Sequence, residues 1–355
     1  MADFGLVLFE DDKAKTEINA KKTGNLAGKL FMRSIELLFD AKFFCSTLGT
    51  RLFFSSKRKE LSGELQCCEL YDNVKVWILR LPFPVRRFFQ LNRAFVEEYL
   101  TRIWTEKNIR SWLVPEQLRG SITADRDGSR SLKGNVLLKA LLMPVLESIY
   151  PKVGLRIENL DMVVVAGNES EELYTVIGLL EPDIKHVTVL SEDKEQVEKR
   201  MYELFADSGL SFYVSREYRH HLKNADIVIN LQNPAETARY RMPRKSLVIN
   251  LHDVTDTRFP GENTIINSIV FDLPGNPIKD LMYDLRGHYG KTELYGTILA
   301  HRLELAPEAR FSPGLADRIQ QGFKKTGARI TGFQGRRGMI GINDVVKAIK
   351  PDQTA

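Results

Sequence analysis

The chain has 355 residues, 43% of them apolar, and its 51 basic and 46 acidic side chains leave a net charge of only +5. That length suits two cores with apolar content enough for both, and the mixed charge excludes a disordered chain and wholesale nucleic-acid binding. Cys45, Cys67 and Cys68 are an odd set without zinc-ligand spacing, so neither a disulfide framework nor a metal site is expected, and a reducing cytoplasm fits best. No apolar run approaches a membrane span, and the acids flanking the short apolar run at the N-terminus speak against a secretory signal.

In chain order, residues 1–134 mix strand-like runs such as KVWILRL with a helix around VRRFFQLNRAFVEEYLTRIW, and read as an α+β domain. The loop RGSITADRDGSRSLKGN closes it. Residues 135–159 follow as a linking helix, NVLLKALLMPVLESIYPKVG, which Pro144 is expected to kink.

From 160 to 275 strands and helices alternate, which predicts a parallel sheet covered on both faces. MVVVAG is the first strand, a continuous apolar run. SEELYTVIGLLEP is the first helix, capped by Ser170 and stopped by Pro182. HVTVLSED, SFYVS, DIVINL and SLVINL supply four more strands, and NSIVFDL is expected to be the sixth. Between the second and third strands, DKEQVEKRMYELFADSG is an amphipathic helix stopped at Gly209. Residues 276–355 are expected to form a mostly helical segment that returns to the N-terminal domain. Their positive excess, ten Lys/Arg against five Asp/Glu from Ala300 to Ala355, reads as a solvated basic surface.

This order resembles the shikimate dehydrogenase and glutamyl-tRNA reductase type of architecture, with VTVLSEDKEQVEKR and LKNADIVINL carrying the likeness to their Rossmann-fold cofactor domain. The resemblance implies an oxidoreductase-like protein that binds NAD or NADP. Gly167, Asn168, Ser191, Glu192, Asp193, Asn230, Leu231 and Asn250 then border the cofactor, with an acid at the end of the second strand accepting the ribose diol. His252, Asp256 and Lys291 are the candidates for proton transfer at the strand C-termini.

Two departures accompany the likeness. The turn Gly167-Asn168-Glu169-Ser170-Glu171-Glu172 has one glycine where G-x-G-x-x-G is usual, and three carboxylates where a diphosphate would approach. No cysteine sits in a motif like the thioester cysteine of the reductases, and no lysine–aspartate pair matches that of the shikimate enzymes. A nucleotide or other anionic small molecule in an inter-domain cleft is therefore one expectation. A non-catalytic protein using the sheet as a platform for a protein partner is the other.

Overall fold

A computed structural model describes residues 2–9, 63–71, 74–81, 93–109, 111–115, 118, 134–237, 239–240, 242, 245–252, 263–275, 285, 289–305, 311–336 and 338–349. The chain divides into two compact units, one of Met1–Ser129 with Lys279–Tyr289, the other of Arg130–Ile278 with Gly290–Ala355. Of the segment expected to return to the N-terminal domain, 279–289 thus belongs to the first unit and 290–355 to the second.

In the first unit, β1 (Ala2–Phe9), β2 (Glu64–Tyr71), β3 (Val74–Leu81) and β4 (Trp112–Leu113) form one mixed sheet in the order β2-β3-β1-β4. Strand β1 runs parallel to both its neighbours, and β2 is antiparallel to β3. Helix α1 (Arg93–Glu106) buries Val96, Leu100 and Trp104 in a core with Val7, Phe9, Leu79 and Leu81. Gly5 makes that approach possible, because a Cβ there would lie 2.9 Å from the Trp104 ring. The buried Tyr289 phenol accepts from Val7 N at 3.0 Å, and the carbonyls of Val7 and Leu113 lie 2.8 and 2.9 Å from it. One hydroxyl therefore joins the segment 279–289 to two strands of this sheet.

The second unit begins with two helices instead of one, α2 (Gly134–Ala140) and α3 (Leu142–Val153). The break lies just before Pro144, which has no N–H to give the Ala140 carbonyl. Gln320 Nε2 donates to that carbonyl instead, at 2.8 Å. Gly154, at φ 81°, closes α3 in the left-handed conformation.

There follow β5 (Met162–Gly167), α4 (Glu171–Leu180), β6 (His186–Ser191), α5 (Lys194–Phe205), β7 (Ser211–Ser215), α6 (Tyr218–Leu222), β8 (Ile227–Asn230), α7 (Pro234–Thr237), β9 (Leu247–Asn250) and β10 (Thr264–Ile266). The six strands are all parallel, in the order β10-β9-β8-β5-β6-β7. Counted from β5 this is 6-5-4-1-2-3, the order of the doubly wound dinucleotide-binding sheet. The fold is Rossmann-like, and its central strands β5, β8 and β9 are buried along almost their whole length because both faces are covered. Ser170 caps α4 as its sequence predicts, accepting from Leu173 N at 3.2 Å.

The sixth strand differs from expectation. It is Thr264–Ile266, whereas Ser268–Asp272, most of the run NSIVFDL, is β11 of a separate antiparallel sheet with β12 (Arg329–Gly335) and β13 (Gly338–Gly341). Asn267 parts the two strands. Its N–H donates to Gln334 O at 2.8 Å, and its side-chain oxygen accepts from Asn250 Nδ2 at 3.2 Å, so a polar residue turns an otherwise continuous apolar run from one sheet to the next. Helices α8 (Lys291–Arg302), α9 (Pro313–Lys325) and α10 (Ile342–Ile349) complete the unit, packing on α2, β11 and α3.

Candidate functional site

In an open parallel sheet, chains leaving adjacent strands in opposite directions part at the strand C-termini and leave a crevice. Here β5 continues to α4 on one side and β8 to α7 on the other. A cleft of about 590 Å3 lies at that place, lined by Gly167, Asn168, Glu169, Ser170 and Glu172 after β5, by Glu192 after β6 and by Leu231, Gln232 and Asn233 after β8. Lys139, Ala166, Tyr218, Glu236, Arg239, Tyr240 and His252 complete the wall, so every residue named belongs to the second unit.

Of the residues the sequence singled out, Gly167, Asn168, Glu192, Leu231 and His252 come together on this lining. Ser191, Asp193, Asn230 and Asn250 stand behind it. Lys291 lies elsewhere, at the start of α8, ion-paired with Asp272 and 5.6 Å over the Tyr295 ring. Asp256 lies outside the described residues.

The turn after β5 is closed by internal hydrogen bonds. Gly167 has φ 73°, and its carbonyl accepts from Glu192 N at 2.8 Å and from Ser191 Oγ at 3.0 Å. The same Ser191 oxygen accepts from Asp193 N at 3.2 Å. Asp193 then reaches back, and its Oδ2 accepts from Glu169 N at 3.0 Å. The two acids expected at the ribose thus take different positions. Asp193 is bound to the first turn, and the Glu192 side chain is left exposed at the cleft.

Two of the turn's carboxylates are held as well. Glu169 Oε1 accepts from the Tyr174 hydroxyl at 3.0 Å, and burial together with that bond pushes the Tyr174 phenol up. Glu172 pairs at 2.8 Å with Lys139, whose side chain is only 7% exposed and stands 5.9 Å over the Phe311 ring. An amine that buried requires such a partner.

Below the cleft, Asn230 and Asn250 are buried and joined by a 3.0 Å bond from Asn230 Nδ2 to Asn250 Oδ1. Asn230 also donates to Gln232 O at 2.8 Å and accepts from Thr237 Oγ1 at 2.6 Å. These contacts fix the loop that carries Leu231 and Gln232. On the opposite wall Tyr218 stacks on Tyr240, with ring centroids 5.0 Å apart and planes at 18°. Tyr218 is 4% exposed, and its hydroxyl has no hydrogen-bond partner.

Sequence reasoning missed Lys139, Tyr218, Arg239 and Tyr240. Lys139 carried a signal, a single cation inside the apolar run NVLLKALLM. Tyr218 and Tyr240 carried none, since nothing local relates residues so far apart in the chain.

A dinucleotide asks of this turn free amides, a close backbone approach and little negative charge. Glu169 N–H is already used, and Glu169 and Glu172 stand at the turn. The residues present do not fit a diphosphate.

No protein-family model matches the chain, and no curated protein matches it. Among solved structures it is similar to the shikimate dehydrogenase of Mycobacterium tuberculosis, at 11% identity and a TM-score of 0.24, over 51% of this chain and 61% of that one. It is similar to the Delta(1)-pyrroline-2-carboxylate reductase of Thermococcus litoralis, solved with NADH and L-proline, at 9% identity and a TM-score of 0.23, over 33% of this chain and 36% of that one. The lactate dehydrogenase of Eimeria maxima, solved with NADH and oxamate, gives 13% identity and a TM-score of 0.31, over 55% of this chain and 94% of that one. The chain spans about a third of the pyrroline-2-carboxylate reductase and three fifths of the shikimate dehydrogenase. The fold rests on the strand order described above.

Proposed function

We propose that the second unit binds a nucleoside-containing small molecule in the cleft at the ends of β5, β6 and β8, as a domain of the oxidoreductase cofactor-binding type. The observation that carries this reading is the exposed Glu192 carboxylate, which the turn holds by its backbone at the end of the second strand, where an acid accepts the two hydroxyls of a ribose. NAD and NADP are one class of such ligands, and the turn after β5 disfavours their diphosphate. Asn230 and Asn250 position the loop beneath the ligand. His252, on the lining, is the proposed proton-transfer group.

The test is a calorimetric titration of the full chain with adenosine, ADP-ribose and NADH. Saturable binding of at least one is expected, weakened about tenfold or more in Glu192→Ala, in line with the loss of a charge-assisted hydrogen bond. Binding of none, or binding indifferent to Glu192, would sink the reading.

The platform reading has its own observation. Tyr202 and Leu204 on α5 and Tyr213 on the edge strand β7 are exposed at 59%, 44% and 48%. An edge strand with apolar side chains is a surface for partner strands. Under that reading Tyr213→Lys abolishes an association that Glu192→Ala leaves intact.

A further inference from the structure

Recognition of a diphosphate at the first turn of such a sheet depends on amides that have no other partner. In this turn Glu169 N–H is given to Asp193 Oδ2, and Leu173 N–H to Ser170 Oγ. Negative charge already fills the position. Glu169 is fixed there by Tyr174 and Glu172 by Lys139. A phosphate entering this turn would have to displace one carboxylate and sit against two others.

The Tyr218 hydroxyl is buried on the lining without a partner, which costs free energy unless something completes it. Its ring stacks on Tyr240, the less buried of the two, which also lines the cleft and offers aromatic surface on which a purine has more to gain than a smaller base. Beside it the Glu192 carboxylate faces the cleft, close enough that, after burial, it is the next cause holding the Tyr218 phenol above its ordinary range.

We infer that the cleft takes a purine nucleoside that carries no diphosphate and is neutral or cationic. The ribose diol donates to Glu192, the base meets the Tyr218 hydroxyl, and a protonated amine or other cationic group at the 5′ position faces Glu169. This rests on the reading of the cleft as a nucleoside site and narrows it to one chemical class. The charge of the wall decides the sign. Glu169, Glu172, Glu192 and Glu236 stand against Lys139 and Arg239, and Lys139 is already paired with Glu172. A cation gains from this field and a diphosphate loses.

The experiment titrates the full chain by calorimetry with adenosine, with 5′-amino-5′-deoxyadenosine and with ADP-ribose, at one fixed salt concentration. The amine is expected to bind tightest, at least about tenfold tighter than ADP-ribose, with adenosine between them. Glu169→Gln, at an exposed position, should narrow the gap between amine and ADP-ribose about threefold or more. Asp193→Asn should narrow it too. Circular dichroism confirms that both variants fold. ADP-ribose binding as tightly as adenosine would overturn the inference while leaving the nucleoside reading in place. An amine preference unchanged in both variants would overturn its assignment to these carboxylates. Binding of none of the three would remove the inference and the nucleoside reading together.

Discussion

Tyr218 illustrates how one side chain separates stability from function. Its buried hydroxyl is unpartnered, so removing it relieves a desolvation cost that folding otherwise carries. Tyr218→Phe is expected to raise unfolding stability by about 1 kcal/mol in urea denaturation, while weakening the binding of the purine ligand. Tyr218, Tyr174 and Tyr150 share a second property, because burial, the first cause in each, pushes their phenols up. An unfolded tyrosine ionises near pH 10. A folded value raised above the unfolded one gives stability that is complete below about pH 10 and is lost as pH rises beyond it. Urea midpoints are therefore expected to hold up to about pH 10 and then fall, and a spectrophotometric titration should show these phenols ionising later than exposed tyrosines, or only on unfolding.

At the scale of elements, the turn joining β5 to α4 is the most constrained piece of backbone at the site. Gly167 sits at φ 73°, and a Cβ there would lie 2.9 Å from Gln232 Oε1. Gly167→Ala must meet both a left-handed conformation and a side chain held by Thr237. A loss of about 1–3 kcal/mol is expected in denaturant unfolding. Ser170 bears on the same turn from its other end, and Ser170→Ala should cost about 1 kcal/mol through the lost cap. A Gly167→Ala cost no larger than that of Ser170→Ala would show that the turn relaxes freely.

For the whole molecule, the first unit is discontinuous, its residues 279–289 arriving after most of the second unit. Tyr289 is where that late segment reports on the sheet. Tyr289→Phe takes the partner from Val7 N and leaves two buried carbonyls without the hydroxyl. The expected cost is about 1–3 kcal/mol, seen in amide exchange as faster exchange in β1 and β4. Protection of β5 and β6, which belong to the other unit, should remain. Equal loss in both sets of strands would mean that the two units unfold as one.

What the sequence determined by itself is whatever depends on residues close in the chain. The continuous apolar run MVVVAG marked β5, the strand-like runs HVTVLS, DIVINL and SLVINL marked β6, β8 and β9, helical spacing marked α4 and α5, and Ser170 and Gly167 marked the cap and the turn, because period and local backbone chemistry act within a few residues. The alternation of these elements was enough for the Rossmann-like sheet. Tertiary structure alone decided which way each polar group turned. Glu192 and Asp193 are neighbours with the same chemistry, yet one faces the cleft and the other closes the turn, through a contact spanning 24 residues. The pairing of Lys139 with Glu172, the stacking of Tyr218 on Tyr240 and the parting of β10 from β11 at Asn267 have the same origin. Each depends on strand register and on where a crossover sets its helix, and neither is written in any local pattern of residues.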